Sequence, residues 1–395
     1  MNSIRLRYVL RERDVRGQQG ETVLSIYRDL GVVPKGERED NYNKTPENLS
    51  NYKLVLPGDV VVNKMKAWQG SIAVSDFRGI VSGDYLVCEV TAPADRSYIH
   101  HILRSNMLIR EYGMRAKGVR PQQWRLYWDD LADISIPMPP LPEQARVGRF
   151  LNGEIARINE LITKKRRLNQ LLAEKLNAYI AREAAKGEHI KIGRVLEFVT
   201  SGPRGWADRV ATEGVPFIRS ANLHSDRIQL RLDNLALVQP IETDEARRTR
   251  VRAGDVVIGI TGANVGWVGL VDNHLIGSFI SQHVALLRPT PLVSPEWLAY
   301  SLLSPRSRQQ LLGSQYGGTK QQLSLEDLKE VVISMPGRRE QDYVTGQLKR
   351  MADVVAMLRS KLTRQITLLH EHKQSLIAGV ITGKVHTRER WGALD

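Results

Sequence analysis

Two long stretches that are almost free of helix breakers limit what this chain can fold into. The first is PLPEQARVGRFLNGEIARINELITKKRRLNQLLAEKLNAYIARE, residues 140–183. After its opening prolines it contains no further Pro, and its only glycines are Gly148 and Gly153. Leu151, Ile158, Lys165, Leu172 and Tyr179 recur every seventh residue, and Ile155, Ile162, Asn169 and Leu176 form the second row of the same heptad. Apolar residues in alternating steps of three and four, sustained this long, describe a helix that packs along another helix. At 1.5 Å per residue it is a rod of roughly 60 Å. The polar seam positions Lys165 and Asn169 are the kind that fix register at some cost in stability.

The partner helix lies in the same chain. Shifting the numbering by 197 pairs Glu143-Gln144 with Glu340-Gln341, Leu171-Leu172 with Leu368-Leu369, Glu174 with Glu371 and Ile180 with Ile377. The second heptad then runs through Leu348, Val355, Leu362, Leu369 and Leu376, which predicts a helix over about 339–382. Nearly the same offset holds outside the helices. Pro57-Gly-Asp-Val-Val-Val62 matches Ala253-Gly-Asp-Val-Val-Ile258, Gly70 matches Gly266, and Asp130-Leu131 matches Asp327-Leu328. The β-branched runs 59–63, 72–74 and 85–90 read as strands, as do 133–138 and 330–335, whereas 97–115 and 295–310 have helical spacing.

The chain is therefore an internal repeat of half its length. The expected fold class is α+β: two tandem mixed α/β domains separated by two long antiparallel coiled-coil helices, with pseudo-twofold symmetry. The expected boundaries are 1–139 for the first domain and 140–187 for the central helix. The second domain takes 188–336, the second helix 337–383, and 384–395 is a frayed polar tail.

Charge narrows the function. The 395 residues carry 57 Lys and Arg against 43 Asp and Glu, a net charge of +14, with an isoelectric point near 9.8. This points to nucleic acid or another polyanion. The single cysteine, Cys88, rules out an internal disulfide and a Cys-based zinc site, and a reducing cytoplasm is the expected location. No apolar run is long enough to span a membrane, and the charged N-terminus does not read as a secretory signal.

Enzyme signatures are missing. There is no phosphate-binding loop for ATP and no Asn/Asp-Pro-Pro-aromatic motif of amino-methyltransferases. No nucleophile elbow is present either. His370 and His372 stand two apart on a helix and point in different directions, and the adjacent His100 and His101 diverge too. The chain is expected to carry out no catalysis and to hold no metal.

Paired loops are the candidate recognition surface. In the first half Lys117, Arg120, Gln122, Gln123 and Arg125 surround Trp124; in the second, Thr319, Lys320, Gln321 and Gln322 follow a Tyr-Gly-Gly run. Gln makes two-point hydrogen bonds to adenine, and Arg or Lys bonds guanine in the major groove. Lys64, Lys66 and Trp68 lie on the turn equivalent to the glycine-rich segment Thr261–Trp267, and Arg204, Arg219 and Asn222 lie in the irregular start of the second domain. Each of these alone is an ordinary solvated loop side chain; their recurrence in both halves carries the reading. The basic run Lys164–Arg167 reads as a solvated helix face, with phosphate tracking or a partner contact as the alternative.

These features together resemble the specificity subunit of type I restriction-modification systems. The resemblance covers essentially the whole chain. Residues 137–180 look like the family's central conserved region, 340–385 like its distal one, and PGDVVV and AGDVVI like strands of its target-recognition domains. Pro336-Gly-Arg-Arg-Glu340 departs from the family's Pro-Leu-Pro-Glu pattern. The resemblance implies that each target-recognition domain reads one half of a bipartite site on double-stranded DNA through the major groove. It implies that the helix pair sets the spacing and docks two modification (methyltransferase) subunits. The residues expected at the helix pair and its docking face are Leu141, Pro142, Glu143, Gln144, Leu151, Ile158, Leu172, Glu340, Gln341, Leu348, Val355, Leu362, Leu369 and Leu376. This chain would carry no cofactor. S-adenosylmethionine would bind the modification subunits that methylate adenine N6, and ATP and Mg2+ would belong to partners, including ATP-driven restriction subunits. The competing reading, from another class, is a coiled-coil assembly protein that binds nucleic acid non-specifically.

Overall fold

A computed structural model describes residues 3–18, 20–28, 30–37, 45–118, 124–241, 243–313 and 322–385. The expected tail at 384–395 therefore lies almost wholly outside the described residues. The chain forms two compact units. One comprises residues 1–164 with 364–395, and the other residues 165–363.

In chain order the elements that matter are β1 (Leu10–Glu12), β2 (Val60–Asn63), β3 (Ile72–Val74), β4 (Tyr85–Val90), α1 (Arg96–Leu103), α2 (Asn106–Arg115) and α3 (Leu141–Glu183). They are followed by β5 (Leu196–Ser201), β6 (Val256–Gly259), β7 (Val268–Leu270), β8 (Val284–Pro289), α4 (Pro295–Leu303), α5 (Pro305–Gly313) and α6 (Arg338–Ile381). The first unit has a four-stranded antiparallel sheet in the order β1-β4-β2-β3, and the second has the order β5-β8-β6-β7, the same plan.

The central strand of each sheet is an unbroken β-branched run because the sheet is covered on both faces. Val60 and Val62 belong to the core shared with α1 and the long helices, whereas Val61 faces the core formed with Leu24, Ile26 and Val55. Val256, Ile258 and Val257 divide in the same way. Each central strand begins after a glycine turn, with Gly58 at φ 99° and Gly254 at φ 82°, a backbone region that strongly favours glycine. The aspartate that follows, just ahead of the strand, closes the turn: the Asp59 carboxylate accepts from Leu56 N at 2.8 Å, and that of Asp255 from Arg252 N at 2.7 Å.

The segments 97–115 and 295–310, each expected as one helix, are two helices apiece. A serine restarts the chain in both. Ser105 caps α2 by accepting from Leu108 N, and Ser304 accepts from Ser307 N ahead of α5, where Pro305 also supplies the break.

The long helices run antiparallel within each unit. In the first, Ile155, Ile158 and Ile162 of α3 share a core with Leu376, Ile377 and Val380 of α6. In the second, Leu176 and Ile180 of α3 share one with Val344, Leu348 and Val355 of α6. The polar seam residue Asn169 accepts from Arg359 Nε at 2.9 Å, and Arg359 also pairs with Asp226.

Each long helix is fastened to its own domain by the glutamine near its start. Gln144 Oε1 accepts from Asp95 N at 3.0 Å while its amide donates to Pro139 O at 2.7 Å. Gln341 Oε1 accepts from Ser294 N and its amide donates to Pro336 O, both at 2.8 Å. Asp95 and Ser294 are the N-caps of α1 and α4. The clamp survives the departure at Pro336-Gly-Arg-Arg-Glu340, because Gly337 O accepts from Glu340 N and Gln341 N as Pro140 O accepts from Glu143 N and Gln144 N.

Candidate nucleic-acid interface

In each unit the loops expected to recognise a ligand meet at one end of the main sheet. In the first, the β2–β3 turn carries Lys64, Lys66 and Trp68, and the segment after α2 returns beside it. Leu126 N donates to Lys64 O at 3.0 Å. Lys117 and Arg125 pair through two backbone hydrogen bonds of 2.9 Å. Trp68 meets Trp124 edge to face with ring centroids 5.5 Å apart. The structure thus brings together Lys64, Lys66, Trp68, Lys117 and Arg125; Arg120, Gln122 and Gln123 lie outside the described residues.

Ion pairs temper this cluster. Lys117 Nζ lies 2.8 Å from Asp130, and Arg125 NH1 lies 3.3 Å from Asp84. Partial burial, with Lys53 nearby, lowers the Lys64 ammonium below the usual lysine range.

In the second unit Leu323 N donates to Ile260 O at 2.9 Å, the counterpart of the Leu126–Lys64 bond. Gln322 sits against Thr261 as a β-bridge, with its side chain exposed. Thr319, Lys320 and Gln321 lie outside the described residues. Arg204 is exposed in the loop after β5, whose last residue, Ser201, pairs with Ala285 near the start of β8 at this same sheet end.

Arg219 is half-buried, donating to Asn234 O at 3.4 Å. Asn222 is a correction. It is 1% exposed, and its amide is used internally, accepting from Arg219 N at 2.9 Å and donating to Arg231 O at 2.9 Å. It shapes the loop and presents nothing to a ligand.

Reading the sequence missed the residues that surround these positions. His283, just before β8, shares a 2.6 Å hydrogen bond with Thr261 Oγ1 through Nδ1, and Gln282 Nε2 lies 3.3 Å from its Nε2. Arg231 donates to His224 Nδ1 at 3.3 Å, with its guanidinium carbon 6.0 Å from the Trp267 ring centre. Burial, reinforced by Arg227 and Arg231, pushes the His224 imidazole down to about 4. Asp84 occupies the place before β4 that His283 occupies before β8. A signal was present, because each stands immediately before a matched strand, but its meaning needs the strand register.

The helix and docking residues divide in two. Leu151, Ile158, Leu348, Val355, Leu362 and Leu376 are buried, and Leu172 and Leu369 are partly buried against the cores. Gln144 and Gln341, expected with the docking face, are 3% and 0% exposed and are consumed by the clamps. Leu141, Pro142 and Glu340 are exposed at the helix starts, and Glu143 lies 3.6 Å from Arg146. Among the described residues no group of His, Cys, Asp and Glu stands where it could hold a metal ion, and no helix is long and apolar enough to cross a membrane.

No protein-family model matches the chain. It is similar to the type I restriction enzyme EcoBI specificity subunit of Escherichia coli, 21% identical over 292 residues, which are 66% of this chain and 60% of that protein. The chain thus spans under two thirds of that relative's length. It is also similar to the EcoKI specificity subunit of Escherichia coli K12, 19% identical over 389 residues, 92% of this chain and 80% of that one. Among solved structures, a chain from a study of type I R-M system assembly and conformational transition superposes with a TM-score of 0.72. It covers 97% of this chain and 98% of its own at 17% identity. The HsdS subunit of Thermoanaerobacter tengcongensis superposes with a TM-score of 0.50 over 97% of both chains at 18% identity. On these matches the chain shares its α+β fold with solved subunits of type I restriction-modification systems.

Proposed function

We propose that this chain is the DNA sequence-recognition subunit of a type I restriction-modification assembly and has no catalysis of its own. The observation that carries this is the duplication of one surface. Each unit brings the turn after its central strand together with a returning segment, residues 124–126 in the first and 322–323 in the second, at one sheet end. That surface is set with side chains able to read base edges. The relatives named above are specificity subunits, and the net charge of +14 suits a DNA partner.

On this reading residues 1–139 and 188–336 are target-recognition domains, each reading one half of a split site on double-stranded DNA. The helices over 140–187 and 337–383 set the spacing and dock two modification subunits, with Leu141, Pro142 and Glu340 as the free surface at the helix starts. S-adenosylmethionine, ATP and Mg2+ act in the partner modification and restriction subunits, in the cytoplasm.

The test is methylome sequencing of a host that expresses this chain with its modification and restriction subunits. The expected result is one asymmetric split motif. Adding four residues, about one turn, to both helices is expected to change the gap and leave both half-sites intact. Binding that falls with salt and shows no sequence preference would overturn the reading in favour of a non-specific assembly protein.

A further inference from the structure

Strand register identifies one position in the two recognition surfaces. Asn63, the last residue of β2, pairs with Tyr85, the first of β4; Gly259, the last of β6, pairs with Val284, the first of β8. Asp84 and His283 are therefore equivalent. The bonds Leu126 N to Lys64 O and Leu323 N to Ile260 O likewise make Arg125 and Gln322 equivalent. The backbone is shared and the chemistry is not. In the first unit a guanidinium is held at one corner by a carboxylate, with side chains 40% and 55% exposed. In the second, an exposed amide stands beside Thr261, whose hydroxyl is bonded to His283.

The Asp84 carboxylate decides what Arg125 can do. A phosphate approaching this guanidinium would meet a second anion facing the same solvent. A guanine edge carries no net charge and meets no such repulsion. The carboxylate fixes NH1 while no other guanidinium N–H of Arg125 has a partner among the described residues, which leaves them to direct at O6 and N7. Gln322 offers a donor NH2 group and an acceptor carbonyl oxygen side by side, the complement of adenine N7 and N6.

We propose that residues 125 and 322 are the same reading position in the two domains. Arg125, aimed by Asp84, reads a guanine in one half-site. Gln322, beside the Thr261–His283 pair, reads an adenine at the corresponding place in the other. Asp84 and His283 are positioning residues. The inference rests on the function proposed above and adds the base at one position of each half-site.

The test uses the full chain assembled with its modification subunits, and competition binding to duplexes in which each base pair of the methylome-defined site is replaced in turn. Arg125→Ala is expected to lose ~10- to ~100-fold discrimination at a single G·C pair of one half-site and nothing in the other. Arg125→Gln should turn that preference to A·T, Gln322→Arg should turn an A·T preference in the other half-site to G·C, and Arg125→Lys should keep guanine with weaker discrimination. Asp84→Asn should weaken discrimination at the Arg125 pair while leaving the salt slope of binding unchanged. Surface ion pairs of this kind add little to stability, so the variants should assemble normally, which co-purification with the modification subunits checks.

Uniform weakening across all sequences, with the salt slope reduced by about one, would place Arg125 on a phosphate and overturn the proposal. So would variants that leave every position unchanged. If the unaltered assembly recognised no split motif, the fault would lie with the proposed function. A split motif that these variants did not alter would overturn this inference alone.

Discussion

Asp59 in the first unit and Asp255 in the second occupy the same corner of the same turn, yet they are neutralised differently. Arg288, on β8, grips Asp255 with two nitrogens at 2.8 Å each. At the corresponding place on β4 the first unit has Glu89, an acid, and the cation comes from Arg13, whose NH1 lies 2.7 Å from Asp59 and whose NH2 lies 3.3 Å from Glu89. Burial, with Glu89 adding to it, raises the Asp59 carboxyl above the usual range despite the contact. The backbone hydrogen bonds at the turn are kept in both units while the charges around them have been rearranged. What the duplication preserves is the device that shapes the chain; the ionic partner can move from one strand to another.

The largest expected effect breaks this pair of turns apart. Asp255 is 1% exposed and Arg288 12%, so removing the carboxylate takes the ionic partner from a largely covered guanidinium and leaves an unbonded N–H. Asp255→Ala is expected to cost about 3–5 kcal/mol. Asp59→Ala should cost less, about 1–3 kcal/mol, because Arg13 keeps Glu89 and is already 20% exposed. Denaturant unfolding of the two variants checks the order; equal losses would mean that the doubled contact at Asp255 contributes nothing.

The long helices were legible from residues 140–183 and their copy near 340, and the central strands from the matched runs 57–62 and 253–258, because period and offset are properties of sequence alone. The break at Ser105 was not, since Ile99, Ile102, Leu108 and Tyr112 keep an apolar face across it and only the serine cap reveals the restart. The candidate surface was legible as loops but not as contacts. Arg125 is obvious in the sequence, whereas Asp84 acquires meaning only when register places it 3.3 Å away. Asn222 and the two clamp glutamines were misplaced for a shared reason. Polar residues in motifs suggest surface, and here they are buried because they satisfy backbone groups that would otherwise be left unpaired.

The clamps offer the converse test, a place where the units should agree. Gln144→Ala and Gln341→Ala each leave one N-cap amide and one proline carbonyl without a partner, and each should cost about 1–3 kcal/mol. The more deeply buried Gln341 should cost slightly more. Hydrogen exchange at Asp95 N and Ser294 N reads the loss directly. A large effect in one unit only would show that the duplicated clamp is structural in that unit alone.

The smallest effect separates the units again, through pH. Aligned by their N-caps, His100 and His101 of α1 stand where α4 has Ala299 and Tyr300. Burial depresses both imidazoles, His100 to about 3 with Arg104 adding to it, and His101 to about 4 although its bond to Asn152 Oδ1 opposes the shift. The 2.7 Å contact to that carbonyl oxygen means that Nε2 carries the proton in the neutral ring. The unfolded chain protonates these rings near 6.5 and the folded chain only near 3 to 4, so between those values the unfolded state binds more protons. Their contribution to stability is present in full above pH 6.5 and is lost as pH falls towards 4. Hydrogen exchange corrected for intrinsic rates should therefore show α1 losing protection between pH 6.5 and 4.5 by more than α4. Giving α1 the residues of α4, with His100→Ala and His101→Tyr, should remove most of that difference. If the double variant kept the acid sensitivity, other titratable groups of the first unit, among them His370 and His372 on α6 and the carboxylates, would have to carry it, and the asymmetry between α1 and α4 would not come from His100 and His101.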